Sequence, residues 1–113
     1  MYQLRYLEQA KEDLIQIKRY IARESGSNEV ALRYTDMLRR QCRELAELPG
    51  VMGRARPELM EGLRSIAQGN YVILFRYSGS SVEIVSIIEG HRDIEGLFHP
   101  NPQITLTESF LLE

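Results

Sequence analysis

The change of hydrophobic period after Leu7 constrains the fold of this chain more than any other feature. Ala10, Leu14, Ile17 and Ile21 recur at helical spacing, which aligns them along one face. A second stripe, Ala31, Tyr34, Leu38, Cys42, Leu45 and Leu48, runs on until Pro49-Gly50 stops it. Between the two lies only "ESGSN". There Gly26 suits a left-handed helix end and Ser27 suits the cap of the next helix. A connection this short makes the two helices an antiparallel hairpin.

Two apolar stripes need a surface to cover, and the flanking segments supply one. Met1 to Leu7, containing "YQLRYL", alternates as a short strand does. After the loop "PGVMGRARPELMEG" come three further candidates, "LRSIAQ", "YVILFRY" and "VEIVSII". Gly69-Asn70 is a two-residue hairpin turn, and "SGSS" reads as a slightly longer one. Tyr71 to Tyr77 is apolar almost throughout, which predicts a central strand covered on both faces, with Val82 to Ile88 beside it. The expected fold is α+β in the order β-α-α-β-β-β: the helical hairpin packs on one face of a small, mainly antiparallel sheet. Asp93 to Phe98 would add a short C-terminal helical turn. Residues 1–98 then form one domain. The tail, residues 99–113, contains two prolines and has no place in that sheet. Disorder, an extra strand and a partly fusion-derived end all remain open for it.

Composition narrows the function classes. At 113 residues, 43% hydrophobic and 27% charged, the chain reads as a soluble globule. It has no apolar run of about 20 residues, so no membrane span is expected. The N-terminus lacks a signal peptide's apolar block, and Cys42 is the only cysteine, which excludes an internal disulfide. A cytoplasmic setting is expected. The net charge of −2 gives no general attraction to nucleic acid, and direct sequence-specific binding to it is not expected. Twelve arginines stand against two lysines, Lys11 and Lys18. Guanidinium groups suit contacts to carboxylates and phosphates but cannot shuttle protons, a bias towards recognition over catalysis.

The stretch "EGHRDIEGLF", Glu89 to Phe98, gathers chemistry-bearing residues. His91-Arg92-Asp93 matches the opening of a kinase catalytic loop, but such a loop needs an asparagine five residues after the aspartate, where Phe98 stands. A hydrolase triad fails as well, because adjacent side chains diverge and no Gly-x-Ser-x-Gly elbow is present. His91 and His99 lack consistent ligand partners, so no metal and no cofactor are expected. Asp93 reads best as the cap of the turn that follows it. A second constellation is Arg54, Arg56, Arg64 and Arg76, with Arg92. If the pleat points Arg64 and Arg76 to one open face, they form a clamp for phosphate or carboxylate. The plain reading is that these arginines pair with Glu58, Glu61 and Glu83. The six tyrosines read as amphipathic residues at the edge of the core, and Cys42 as inert packing.

Together these segments resemble a family. "AKEDLIQIKRYI", Ala10 to Ile21, is similar to the first helix of ParE-type toxins in the RelE/ParE superfamily. The likeness continues through Leu48-Pro49-Gly50, "GLRSI", "GNYVILFRY", "VEIVSII" and "RDIEGLF", roughly residues 2 to 98. The resemblance implies the toxin of a type II toxin–antitoxin pair, associated with plasmid stabilisation. It would be held in a hetero-oligomer by a cognate antitoxin protein and would poison DNA gyrase without being an enzyme. RelE-like members instead cut mRNA on the ribosome with lysines, arginines and a late tyrosine. Here Arg64 and Arg76 match the strand arginines of that branch, but the loop offers Arg54 and Arg56 in place of lysine, and no tyrosine follows Tyr77. The nuclease, with His91 and Glu89 as substitutes, and a degenerate non-toxic antitoxin binder remain the alternatives. Members often end the last strand in a histidine ahead of Arg-Asp; aligning Arg92-Asp93 puts Glu89 at that place. The residues expected to contact target or antitoxin are Arg54, Arg56, Arg64, Arg76, Glu89, His91 and Arg92, with none catalytic.

Overall fold

The computed structural model describes residues 1–90. His91, Arg92, the turn expected over Asp93 to Phe98 and the tail 99–113 lie outside the described residues. The elements run β1 (Gln3–Tyr6), α1 (Glu8–Ser25), α2 (Asn28–Glu47), β2 (Arg54–Ala55), β3 (Arg64–Gln68), β4 (Tyr71–Ser78) and β5 (Ser81–Glu89). The α+β architecture is the expected one, with two differences. Two residues inside the loop after α2 pair as β2, against Ser65 and Arg64 of β3. The β4–β5 connection is also tighter than expected, because Ser78 pairs directly with Ser81 across Gly79-Ser80. Gly79 has φ 61, so a positive-φ two-residue turn closes the hairpin.

The helix boundaries follow local chemistry. Gly26 ends α1 in the left-handed region, and its N–H donates to Ala22 O. Ser27 caps α2 by accepting Val30 N–H at 3.1 Å. Leu7 has no side chain that could cap α1; its own N–H donates to Ile84 O, which ties the strand-to-helix junction to β5.

The sheet order is β1-β5-β4-β3-β2. All neighbours are antiparallel except β1 and β5, which are parallel because the chain crosses through the helical hairpin before returning. One face carries Ile73, Phe75, Val82 and Ile84 against Leu14, Leu38, Cys42 and Leu45 from the helices, all of them buried. The second face is covered too, by its own loop: Leu59 and Leu63 pack on Val72 and Leu74, with Val85 and Ile88 at the margin. This explains why "YVILFRY" does not alternate. Each fully buried side chain of this kind contributes about 1.5–3 kcal/mol. Among the described residues, no helix is long and apolar enough to cross a membrane.

A register shift beside Leu74/Phe75 breaks the β4–β5 ladder, because Ser86 pairs with Leu74 and Ile84 with Phe75, which leaves Val85 extra. Asp13 of α1 satisfies the strand there. Its Oδ2 accepts Ser86 Oγ–H at 2.7 Å and Ile87 N–H at 2.9 Å. The carboxylate stands where a longer β1 would have offered a carbonyl, beyond the end of that strand's pairing at Tyr6–Ile84.

Candidate functional site

The arginines gather at the end of the sheet where β4 finishes and β3 begins, but they do not form one clamp. Arg64 pairs in register with Phe75, so its side chain leaves the helix-covered face. Arg76 follows Phe75 on β4 and leaves the opposite face. The condition for a common Arg64–Arg76 surface is therefore not met. The alternation of the pleat, undisturbed on β4, sends the two guanidinium groups apart.

Each also has a partner. Arg64 Nε–H donates to Met52 O at 2.6 Å and Nη2–H to Gly53 O at 2.8 Å. The loop after α2 is thereby pinned to the sheet, and Tyr77 assists by accepting Met52 N–H at 2.9 Å. Gly53 must approach closely: a Cβ there would lie 2.7 Å from the Phe75 ring and from Ser65 O. On the other face Arg76 pairs with Glu83 at 2.7 Å across the strands. Arg56 pairs with Glu58 at 2.7 Å and donates to Ser65 Oγ at 3.3 Å. The hydrogen bond from Arg56 Nε–H to Glu58 lowers the Glu58 carboxyl below its ordinary range, with smaller help from the charge of Arg54. Arg54 itself is exposed on β2. The pairings to Glu58 and Glu83 are those the plain reading of the sequence gave these arginines.

Glu89 sits at the other end of the sheet. It closes β5 and pairs in register with Tyr71, the first residue of β4. Tyr71 and Arg76 are five residues apart on one strand, or about 17 Å at the rise of an extended chain. Gly90 has φ 58 and its N–H donates to Asn70 O, which closes this end around the Gly69-Asn70 turn. The structure therefore does not bring Glu89 to the arginines, and His91 and Arg92 lie outside the described residues.

Around Glu89 stand tyrosines that the sequence reading treated as core edge. Tyr34 of α2 packs edge-on against Tyr71 with ring centroids 5.7 Å apart. Burial pushes the Tyr71 hydroxyl up to about 12, with further contributions from the charge of Glu89 and from Tyr34 and Tyr20. A visible signal pointed to the first of these contacts: Tyr34 is the only aromatic residue of the α2 stripe. Asp13 carried a signal too, as a carboxylate three residues after Ala10 and four before Ile17 on an otherwise apolar stripe.

Deeper inside, Cys42 is fully buried and its thiol is pushed up to about 11 by that burial. Tyr6 shares a hydrogen bond with it and is raised still further, first by its own burial. Such a thiol holds its proton and packs as a small apolar group. Among the described residues, no three of the His, Cys, Asp and Glu side chains gather as metal ligands would.

Comparison with known proteins agrees with this fold. Residues 4–94 match the sequence model of the ParE toxin of type II toxin-antitoxin systems, parDE. The chain belongs to the ParE toxin family. A solved structure described as the chromosomal ParDE toxin-antitoxin system from P. aeruginosa superposes with a TM-score of 0.70 at 24% identity, over 80% of this chain and 98% of that one. The isolated E. coli RelE toxin superposes with a TM-score of 0.55 at 16% identity, over 83% of this chain and 89% of that one. At these identities the two likenesses speak for the fold. No curated protein sequence matched the chain. Membership of the family implies an antitoxin partner.

Proposed function

We propose that this ParE-family toxin inhibits DNA gyrase by binding it, without catalysing a reaction, and that a cognate antitoxin neutralises it. Both the target and the antitoxin place it in the cytoplasm. Family membership supports the toxin role. The observation that carries the non-nucleolytic part is the divergence of Arg64 and Arg76 onto opposite faces. Cleavage of RNA needs an acid, a base and cations converging on one phosphate. Here one strand arginine holds loop carbonyls and the other holds Glu83.

The likeness to the RelE toxin supports a second reading, a ribosome-dependent mRNA endonuclease that uses Arg64, Arg76 and His91. The exchange of a histidine for Glu89 supports a third, a non-toxic member that retains only antitoxin binding.

The deciding experiment is a supercoiling assay with purified gyrase, titrated with the folded chain in the presence and absence of antitoxin. Loss of supercoiling with accumulating cleaved DNA, reversed by antitoxin, is the expected result. Undisturbed gyrase would overturn the proposal, and mRNA cleavage on translating ribosomes would then separate the other two readings.

A further inference from the structure

Four elements converge where β5 stops. Tyr71 opens β4 and stands in register with Glu89, so the two side chains leave the same, helix-covered face. Tyr34 reaches them from α2, edge-on to Tyr71, and its hydroxyl accepts Asn70 N–H at 3.4 Å. Tyr20 comes from α1 and is near enough to act electrostatically on Tyr71. The core explains only half of this group. Tyr71 is buried, but Tyr20 is 47% exposed and Glu89 is exposed as well. Among the described residues, none of the ion pairs involves Glu89.

The chemistry of the group selects its ligand. Tyrosine rings present negative faces, and a carboxylate beside them deepens the negative potential. An anion is repelled by both. A purely apolar segment would bury the carboxylate without a partner, which is unfavourable. A guanidinium or ammonium group satisfies all of them at once: it bonds the carboxylate and lays its weakly hydrated surface or its alkyl stem on the rings. Aromatic anchors around a paired charge also carry much of the energy of lasting interfaces, and an antitoxin is the partner that must stay bound.

We propose that this end of the sheet receives an arginine or lysine side chain of the antitoxin, paired to Glu89 and laid against the ring of Tyr20 beside Tyr34 and Tyr71. The inference rests on the antitoxin pairing proposed above.

The test is calorimetric titration of the cognate antitoxin into the full chain, at low and at high salt. Glu89→Gln should bind about tenfold more weakly at low salt, with a smaller salt dependence. Glu44→Gln, an exposed carboxylate on α2, should bind like the wild type. Tyr20→Phe keeps the ring and should retain affinity, whereas Tyr20→Leu should lose severalfold. Circular dichroism and melting temperature establish that each variant is folded. If wild type binds and Glu89→Gln binds equally well, the cation site is wrong while the toxin–antitoxin pairing stands. If folded wild type does not bind, the pairing itself fails and takes the site with it. A melting temperature lowered by Glu89→Gln and by Arg92→Gln, with no further fall in the double variant, would make the chain's own Arg92 the occupant and would overturn the proposal.

Discussion

The two ends of the sheet use their charges in opposite ways. At the arginine end the guanidinium groups of Arg56, Arg64 and Arg76 are all committed to groups of the chain itself, whether carbonyls, a hydroxyl or carboxylates. At the Glu89 end a carboxylate stands exposed among tyrosines, with no ion pair to a described residue. Charge at the first end ties a loop and neighbouring strands together, while charge at the second is, on the proposal above, the seat of a partner's cation. Each of these guanidinium groups keeps further N–H donors, and Arg54 of β2 is exposed, so the contrast lies in what the charges already hold.

This contrast can be broken or sharpened by substitution. The largest effect is expected at Gly53, where Ala would place its Cβ against the Phe75 ring and the Ser65 carbonyl at φ 74. Overpacking and the left-handed backbone together should cost about 2–4 kcal/mol, read as a fall in the denaturant midpoint. Arg64→Ala comes next. Losing two hydrogen bonds from a charged donor to carbonyls should cost about 1–2 kcal/mol, whereas Glu89→Gln should stay within about 0.5 kcal/mol. If Glu89→Gln proved the more damaging of the two, the contrast between the ends would collapse.

A pH series probes the second end. The Tyr71 hydroxyl titrates at about 12 in the folded chain, against the ordinary 10. In that window the folded state retains a proton that the unfolded state has released. Stability is therefore intact below 10 and falls as pH rises towards 12. Tyr6, also raised by burial, acts in the same direction. Tyr71→Phe should flatten the loss without abolishing it, measured as the denaturant midpoint across the window. The smallest effect belongs to Arg76 and Glu83. A double-mutant cycle should give a coupling of about 0.5 kcal/mol that weakens with salt, as for other partly exposed pairs.

Legibility from sequence followed the range of the forces. The helical hairpin could be read because a stripe at helical spacing, a left-handed glycine and a serine cap each act within a few residues. The Gly69-Asn70 turn was legible for the same reason. The "SGSS" turn was read one step too long, because strand pairing extends to Ser78 and Ser81 and leaves only Gly79-Ser80 outside it. The strand β2 was missed because two residues carry no period, and it exists only through its pairing with β3. The ion pairs of Arg56 and Arg76 were foreseeable from the nearby carboxylates, but the tie from Arg64 to Met52 and Gly53 was not. Its acceptors are backbone carbonyls, which every residue possesses.

The sequence by itself determined which segments form helices and strands, and that its central strand is covered on both faces. It also carried the whole family signature, because these properties depend on local order and spacing. Only the tertiary structure decided that β1 lies parallel beside β5 and that the loop holding Leu59 and Leu63 supplies the second cover. It alone decided that Arg64 and Arg76 turn away from each other while Tyr20, Tyr34, Tyr71 and Glu89 draw together. The reason is register. A shift of one residue in strand pairing moves every side chain to the other face, and what sets it is the packing of residues far apart in the chain.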